Sequence, residues 1–401
     1  MSSPQVTYDD VVAARDLLDG VVVRTPVLAS RVLSDAVGGP VHLKCENLQR
    51  AGSFKVRGAY VRIAGLSAEE RARGVVAASA GNHAQGVALS ARLVGAKSTV
   101  YMPEGAALPK VEATLGYGAD VILAGRTVDE SLARARQHAE ETGAVIIHPF
   151  DHPDVIAGQG TIGLEILEQL PETATIVVPI GGGGLAAGLA LAAKSLRPGI
   201  RIVGVQAERA AAYPASLAAG HPVLVEPFST MADGIAVGRP GELPFDLIHY
   251  LVDRVVTVSE DEISKALVLC LERAKQVVEP AGAVGVAALL AHPSAFEPPV
   301  VAVLSGGNID PVLLARVLRH GLAAAGRYLA VRVLLPDRPG ALAGLLAALA
   351  ALRVNVLDIV HERLATRLHV DEVEVQLQLE TRGPEHCEEA LSTLRRDGYK
   401  L

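Results

Sequence analysis

The chain has 401 residues, of which 50% are hydrophobic and 20% are charged, and its formal net charge is −7 at pH 7. This length predicts two or three domains, and the interspersed acidic and basic residues argue against binding to nucleic acid or to an anionic membrane surface. Three cysteines without metal spacing, no apolar run of about 18 residues and no secretory-signal pattern predict a cytoplasmic protein without membrane spans.

Helical and strand patterns alternate along the first half of the chain. Capping patterns at Thr7 with Asp10 and at Ser67 with Glu70 predict two helix starts, and a further short helix is predicted over residues 30–37. Short apolar strands are predicted at residues 41–45, 75–78, 99–102, 121–123 and 145–147. Short strands separated by helices are typical of βαβ units and a parallel sheet.

A second set of the same kind follows. Strands are predicted at residues 175–180, 201–205 and 300–304, and helices at 162–170, from Ser259 to about 278, and from Pro280 onward. The pattern changes after residue 326: a strand over 328–335, a helix over 341–352 with Pro339 in its first turn, a hairpin of strands 355–363 and 370–379, and a helix over 384–395. We interpret this as a βαββαβ ferredoxin-like unit.

One lysine stands out chemically. Lys55 follows a Gly-Ser turn, has Phe54 beside it, and begins an apolar helical run. Burial in such a setting lowers the pKa of a lysine, and the neutral amine can form a Schiff base with a carbonyl substrate or with pyridoxal phosphate. A lone Ser-x-Lys is more often a solvated lysine, so the hypothesis depends on the loops around it.

Three glycine-containing loops follow predicted strands. Four consecutive glycines, residues 181–184, precede a helix, where their N–H groups can bind a phosphate; the alternative is a flexible turn. In the loop of residues 79–83, the N–H groups can hold a carboxylate and Asn82 can donate to a phenolate-type oxygen; the alternative is simple N-capping by Ser79 or Asn82. His83 fits a structural hydrogen bond better than a catalytic base. Ser305 offers a hydroxyl at a strand end, or the loop of residues 305–308 is a tight turn.

Pyridoxal phosphate requires four groups of a protein site: a phosphate cradle, an amine, a donor for a ring oxygen and a hydroxyl for a ring nitrogen. The four motifs that carry them are Gly52-Ser53-Phe54-Lys55-Val56-Arg57-Gly58-Ala59, Ser79-Ala80-Gly81-Asn82-His83-Ala84-Gln85-Gly86, Gly181-Gly182-Gly183-Gly184-Leu185 and Ser305-Gly306-Gly307-Asn308. With these motifs in this order, the chain resembles the threonine dehydratases (threonine ammonia-lyases) of the fold-type II pyridoxal-phosphate enzymes, and residues 328–401 resemble an ACT domain.

The resemblance implies an α/β fold with two subdomains of open twisted sheets, of the tryptophan-synthase-β-like class, followed by a βαββαβ ferredoxin-like ACT domain. The implied catalytic domain is 1–326, with a small subdomain of about 52–150 inserted into a large one of 1–51 plus 151–326. The implied regulatory domain is 327–401.

The resemblance also implies a role for each site residue. Lys55 would hold the cofactor and move the Cα proton, Phe54 would contact the ring, Asn82 would bond the 3-oxygen, and Ser305 would face the ring nitrogen. The phosphate would be bound by Gly181, Gly182, Gly183, Gly184 and Leu185. The substrate carboxylate would be held by Ser79, Ala80, Gly81, Asn82 and His83.

The implied reaction converts L-threonine to 2-oxobutanoate and ammonia by β-elimination of water. L-serine is an expected second substrate, because one missing methyl group changes binding by only about 1–3 kcal/mol. The alternatives are a serine-preferring dehydratase, a racemase/dehydratase of 3-hydroxy amino acids, or a non-catalytic amino-acid sensor. Racemisation is disfavoured, because Ala80 takes the position at which racemases have a second base.

Two further sites are implied. A monovalent cation would bind Glu208 and the Ala212 carbonyl, and a divalent ion is disfavoured because Pro214 takes the place of an acidic ligand; alternatively, Glu208 is a surface carboxylate. An amino-acid or nucleotide effector would bind Asp337, Gly340 and Asn355 of the ACT unit, unless that unit only dimerises. The Ala- and Leu-rich helix of residues 341–352 predicts a homodimer or homotetramer.

Overall fold

A computed structural model describes residues 6–226, 229–363 and 369–401. The chain forms two compact units, Met1–Leu314 and Ala315–Leu401. Their boundary falls within one helix, Pro311–Ala324, and therefore before the sequence-based domain boundary that follows residue 326. Within the described ranges, no helix has both the length and the apolarity that a bilayer crossing requires.

The first unit is an α/β structure. Its strands are β1 (Val27–Ala29), β2 (Val41–Lys44), β3 (Val75–Ala78), β4 (Ser98–Met102), β5 (Asp120–Leu123), β6 (Val145–Ile146), β7 (Thr175–Pro179), β8 (Arg201–Ala207), β9 (Arg254–Val258) and β10 (Val300–Val303). Its helices are α1 (Tyr8–Leu18), α2 (Arg31–Val37), α3 (Lys55–Ala64), α4 (Ala68–Arg73), α5 (Asn82–Leu93), α6 (Leu108–Gly116), α7 (Val128–Thr142), α8 (Pro153–Gln169), α9 (Gly184–Leu196), α10 (Ala212–Ala219), α11 (Glu242–Leu251), α12 (Glu260–Leu269) and α13 (Pro280–Ala291), and α14 (Pro311–Ala324) leads into the second unit.

These strands form two sheets. The larger has the order β1-β2-β10-β7-β8-β9 and is parallel except for β1, which is antiparallel to β2. The smaller sheet, β5-β4-β3-β6, is parallel, and all its strands come from residues 75–146. The predicted parallel sheets are thus confirmed, and the carboxyl ends of their strands lead into the loops that the sequence singled out.

The predicted capping signals are confirmed, whereas some of the predicted ends of the helices are wrong. The capping boxes at Thr7, Ser67 and Ser259 all form. Helix α8 begins at Pro153 instead of residue 162 because its early turns contain glycines that weaken the helical pattern. Helix α12 ends at Leu269 and a π-helical turn, Cys270–Ala274, follows, because Lys275 adopts a left-handed conformation with φ 57°. The predicted extension to residue 278 is therefore wrong, and β1 and β9 were not predicted.

Helix α3, which begins with Lys55, lies directly against α8. A Cβ at Gly158 would lie 2.7 Å from the Cα of Gly58, so the two backbones meet at a glycine pair. Beside this contact, Arg57 is fully buried and bonded to Glu46 and Glu165. The contact between the two glycines and the buried ion pairs of Arg57 together hold the first turn of α3 in place.

The second unit contains a three-stranded antiparallel sheet with two helices. Its elements are β11 (Tyr328–Pro336), α15 (Ala341–Ala351), β12 (Asn355–Glu362), β13 (Glu372–Glu380) and α16 (Pro384–Arg396), with strand order β11-β13-β12. The predicted last strand is reduced to a single bridge between Leu334 and Lys400. Helix α15 starts after Gly340, at φ 88°, so the prediction of Pro339 in its first turn is wrong.

Candidate active site

Lys55 is the first residue of α3 and its amine is held by a backbone oxygen. Lys55 Nζ donates a 2.9 Å hydrogen bond to the carbonyl oxygen of Pro149, and it lies 5.2 Å from the centre of the Phe54 ring. Burial lowers the pKa of Lys55 to about 8, although the negative charge of Glu279 acts in the opposite direction. The amine therefore loses its proton more readily near neutral pH than an ordinary lysine does, as a nucleophile or base requires.

The loop before Lys55 is hydrogen-bonded to the loop after β10. Ser53 forms an antiparallel bridge with Gly306, and the Phe54 N–H donates to the carbonyl oxygen of Ser305 at 3.1 Å. Ser305 is 3% exposed, and within the described ranges its hydroxyl has no hydrogen-bond partner. These backbone bonds bring Ser305 next to Lys55, as the sequence analysis expected for residues of one site.

The glycine loop is packed, so its interpretation as a flexible turn is wrong. A Cβ at Gly182 would overlap the ring of Phe150, and one at Gly184 would lie 2.8 Å from the Phe150 carbonyl oxygen. Gly183 has φ 109°, and a Cβ there would overlap the Tyr213 hydroxyl. Only glycines fit this turn, which lies at the N-terminus of α9.

The hydrogen bonds of this loop use its carbonyl groups. Gly182 O accepts from the Tyr213 hydroxyl and from the Gly241 N–H, each at 3.1 Å. Among the described residues, the N–H groups of Gly181, Gly182 and Gly183 have no acceptor. Free N–H groups at a helix N-terminus form an anion site that suits a phosphate.

Residues 149–150 connect the lysine with the glycine loop. The Lys55 amine donates to Pro149, and the next residue, Phe150, contacts Gly182 and Gly184. The amine and the proposed phosphate cradle therefore both contact the same two-residue segment.

The loop of residues 79–83 does not cap its helix through side chains. Ser79 Oγ accepts from the Gly81 N–H at 3.1 Å, and Gly81, the residue before α5, makes no side-chain cap. The N-capping interpretation is therefore wrong, and the uncapped N–H groups at the start of α5 give this loop a positive potential. His83 donates from Nε2 to Ile147 O at 2.8 Å, and burial lowers its pKa to about 3, so this ring is neutral.

The side chain of Asn82 lies in a network that the sequence analysis did not predict. Asn82 Nδ2 donates to Glu279 Oε1 at 2.6 Å, and Asn82 Oδ1 accepts from Asn308 Nδ2 at 2.8 Å. Glu279 is 4% exposed, and burial together with the charge of Asp233 raises its pKa to about 7, against the opposing effects of Lys110, Asn82 and Lys55. The only sequence signal for Glu279 was its position before the Pro-Ala-Gly start of α13.

A second unpredicted pair lies beside the carboxylate loop. Lys110 Nζ is 2.9 Å from Asp233 Oδ2, and a Cβ at Gly81 would lie 3.6 Å from the same Nζ. Lys110 belongs to α6 and Asp233 to a short 3-10 helix, Asp233–Ile235. The ammonium group of Lys110 therefore lies close to the loop assigned to a substrate carboxylate, and Asp233 offsets its charge.

The implied cation residues do not assemble a site by themselves. Glu208 is exposed at the end of β8, and the Ala212 carbonyl already accepts from Ser216 Oγ at 2.8 Å. Over the described ranges, no group of three acidic, histidine or cysteine side chains is arranged to hold a metal. One exposed carboxylate and one occupied carbonyl do not form a coordination shell, so no step is assigned to a cation.

The three implied effector residues are not brought together within one chain. Asn355 pairs with Glu380 at one end of the second unit's sheet, whereas the Asp337 N–H bonds to Asp371 at the other end. The nine residues of β13 separate these ends, or about 30 Å. Gly340 lies with Asp337, and the space where its Cβ would be is open.

The buried amine, the glycine cradle with unpartnered N–H groups, and the unpartnered Ser305 hydroxyl fit pyridoxal phosphate. A family model described as "Pyridoxal-phosphate dependent enzyme" matches residues 18–306, and the chain belongs to this family, whose cofactor is pyridoxal phosphate. The chain is 48% identical over 396 residues to the L-threonine ammonia-lyase of Thermotoga maritima, covering 99% of both chains.

Two solved structures are similar to more than three quarters of the chain. The processed form of threonine deaminase isoform 2 from Solanum lycopersicum is 38% identical with a TM-score of 0.74, covering 78% of this chain and 93% of that chain. The maize serine racemase is 38% identical with a TM-score of 0.75, covering 79% of this chain and 98% of that chain. Each match covers nearly the whole of the compared structure, so the matched part of the chain shares their fold.

Proposed function

We propose that this chain converts L-threonine to 2-oxobutanoate and ammonia by β-elimination of water, with pyridoxal phosphate as cofactor. The observation that carries the proposal is the hydrogen bond from the Lys55 amine to Pro149, the residue before Phe150, which packs against the glycine loop. The threonine substrate is supported by the full-length relative, which is named for ammonia release from threonine.

Each loop then has a chemical task. Lys55, whose pKa burial lowers to about 8, is the group that takes the proton from Cα. The N–H groups at the start of α5 bind the substrate carboxylate, and those of the glycine loop bind the cofactor phosphate. Bound pyridoxal phosphate supplies an electron sink for the charge that develops at Cα. Ser305 presents a neutral hydroxyl to the ring nitrogen and cannot hold a proton there as a carboxylate would.

We propose L-serine as a second substrate, but we do not propose racemisation as an activity. Loss of one methyl group weakens substrate binding by about 1–3 kcal/mol, so the turnover of serine should remain measurable. Ala80 has no group that could deliver a proton to the opposite face of Cα. Serine recovered from the reaction should therefore keep its configuration. This differs from the activity for which the maize serine racemase is named.

The test is a comparison of 2-oxo acid formation from L-threonine and L-serine by the purified protein and by Lys55→Ala. We expect turnover of threonine, slower turnover of serine, and loss of both in the variant. A protein that took up no pyridoxal phosphate, or that made no 2-oxo acid from either substrate, would contradict the proposal. Lys97→Ala, on the surface loop before β4, is the matched control and should retain activity.

For the second unit we propose an ACT domain that binds a small effector between two copies of the chain. Asp337 with Gly340 and Asn355 lie at opposite ends of the sheet, so one copy cannot close a site from all three. The β12 strand supports pairing because it is an edge strand with exposed Leu357, Ile359 and Val360.

The effector and the homo-oligomer are tested together. Sedimentation of the protein with and without isoleucine, valine or AMP, followed by threonine kinetics under the same conditions, should show a dimer or tetramer whose activity responds to one of them. A monomer whose rate is insensitive to all three would contradict the proposal for this unit and leave the catalytic proposal untouched.

A further inference from the structure

Glu279 is a buried carboxyl group without an assigned task. It precedes the first residue of α13, its own N–H donates to Gly306 O at 3.0 Å, and it is 4% exposed. Burying a carboxyl is costly unless it is hydrogen-bonded, and its side-chain donor is Asn82 at 2.6 Å. Gly306 leaves room for this contact, because a Cβ there would overlap Glu279 Oε1 and lie 3.0 Å from Asn82 Nδ2.

The orientation of the Asn82 carboxamide follows from its two neighbours. Asn308 Nδ2 donates to the Ala51 carbonyl oxygen at 2.7 Å and to Asn82 Oδ1 at 2.8 Å, so the oxygen of Asn82 faces Asn308. The nitrogen of Asn82 then faces Glu279 Oε1, which accepts its hydrogen bond. A primary amide nitrogen carries two hydrogens, and one of them remains for a ligand.

We propose that Glu279 is a positioning residue that holds the Asn82 carboxamide with its second N–H directed to the cofactor ring oxygen. The inference rests on the proposed function, in which Asn82 bonds that oxygen. Without an acceptor at position 279, the carboxamide of Asn82 would rotate about its terminal torsion, and the remaining N–H would lose its fixed direction.

The charge of Glu279 has a second, separable effect on Lys55. Glu279 raises the pKa of Lys55, opposing burial, and Lys55 in turn lowers the pKa of Glu279. The other charges that act on Glu279 are Asp233, which raises its pKa, and Lys110, which lowers it. Removing the negative charge at 279 should therefore make the Lys55 amine neutral at a lower pH.

Two variants separate the hydrogen bond from the charge. Glu279→Gln keeps the length and offers an oxygen to Asn82, but removes the charge. Glu279→Asp keeps the charge, but is one methylene group shorter and withdraws the acceptor from Asn82. Glu262→Gln is the matched control, since its carboxyl also accepts a short bond near a helix start, from the Ser259 N–H at 2.7 Å.

The first readout is the dissociation constant of the apoprotein for pyridoxal phosphate. We expect Glu279→Asp to bind about ten-fold more weakly, the cost of a lost hydrogen bond to a charged group, and Glu279→Gln to stay within about threefold. The second readout is the pH midpoint of the rate at which the Lys55 amine captures pyridoxal phosphate, trapped by borohydride. It should fall by about half a unit or more in Glu279→Gln and stay unchanged in Glu279→Asp and Glu262→Gln.

Each variant is thus expected to change one readout and to leave the other unchanged. Damage to the fold would instead change both readouts in the same variant. Equal affinities for the unaltered protein and Glu279→Asp would overturn the positioning role, as would an equal loss in Glu262→Gln. An unaltered protein that bound no pyridoxal phosphate would overturn the proposed function itself. Thermal unfolding of each apoprotein shows whether the variants fold. If Glu279→Asp does not fold, the positioning role is tested by Glu279→Gln: this variant keeps the acceptor for Asn82, so a loss of cofactor affinity well beyond threefold would overturn that role.

Discussion

The hydroxyl group of Tyr213 donates a 3.1 Å hydrogen bond to the carbonyl oxygen of Gly182, and it occupies the space that a Cβ of Gly183 would need. Tyr213 is fully buried, and its own N–H donates to Gln206 Oε1 at 2.9 Å. The conformation of the glycine loop therefore depends on a residue 31 positions after Gly182, held in place by the neighbouring strand β8.

Gly183→Ala should abolish tight binding of pyridoxal phosphate. The residue has φ 109°, where alanine is strained, and its Cβ would overlap the Tyr213 hydroxyl, so the loop must move. We expect a loss of about 2–4 kcal/mol in the free energy of unfolding and more than about ten-fold in cofactor affinity. Denaturant unfolding and a cofactor titration measure both, with Gly199→Ala, which has open space around it, as the control. Equal behaviour of the two alanine variants would contradict this account of the loop.

Tyr213→Phe should weaken cofactor binding moderately. The Gly182 carbonyl keeps its bond from the Gly241 N–H, so one of two hydrogen bonds is lost. We expect the free energy of unfolding to fall by about 1 kcal/mol and the dissociation constant for pyridoxal phosphate to rise about three- to five-fold. Denaturant unfolding measures the first quantity and a cofactor titration measures the second. Tyr250→Phe, at a position that is 82% exposed, should change neither. An unaltered affinity in Tyr213→Phe would show that the hydroxyl does not hold the loop.

Arg57→Met should destabilise the first unit strongly. The guanidinium of Arg57 is buried and bonds Glu46 at 2.8 and 2.9 Å and Glu165 at 2.6 Å. Its removal leaves the buried Glu46 without its ion-pair partner and leaves Glu165 with Lys44 alone. We expect a loss of about 3–5 kcal/mol in the free energy of unfolding, the cost of breaking a buried pair on one side.

The control for Arg57 is Arg15→Met, which removes an exposed ion pair with Glu168 and should cost no more than about 1 kcal/mol. Urea unfolding of the apoprotein gives both values. Similar losses in the two variants would mean that the buried network contributes no more than a surface pair.

The stability of the apoprotein should fall as the pH decreases from about 6.5 to 4. Burial lowers the pKa of His83 to about 3 and that of His148 to about 4, so the unfolded chain binds protons that the folded chain does not. The free energy of unfolding therefore decreases by at most about 1.4 kcal/mol per pH unit for each histidine.

His83→Gln should reduce this pH dependence, because the amide can still donate to Ile147 O but does not titrate. Urea unfolding at pH 5, 6 and 7 measures the slope, and His221→Gln, at an exposed position, serves as the control. A slope that is the same in His83→Gln and the unaltered protein would contradict a neutral His83.

Local patterns predicted much of the fold. The apolar strands were found because a strand buried on both faces reads as an unbroken apolar run, as in Val75–Ala78 and Val300–Val303. Helix starts at Thr7, Ser67 and Ser259 were found because a capping box uses residues three positions apart. The end of α12 was missed, since its left-handed Lys275 carries no sequence signal.

The sequence by itself determined the fold class, the order of most of the elements, and the four loops that carry the chemistry, because each depends on residues adjacent in the chain. Only the tertiary structure decided which side chains support those loops. Glu279 reaches Asn82 from 197 positions away, and Tyr213 reaches Gly182 from 31. The physical reason is that these contacts join segments far apart in the chain. Gly182 and Tyr213 follow the neighbouring strands β7 and β8, whereas Asn82 follows β3 of the other sheet, and no local periodicity encodes such contacts.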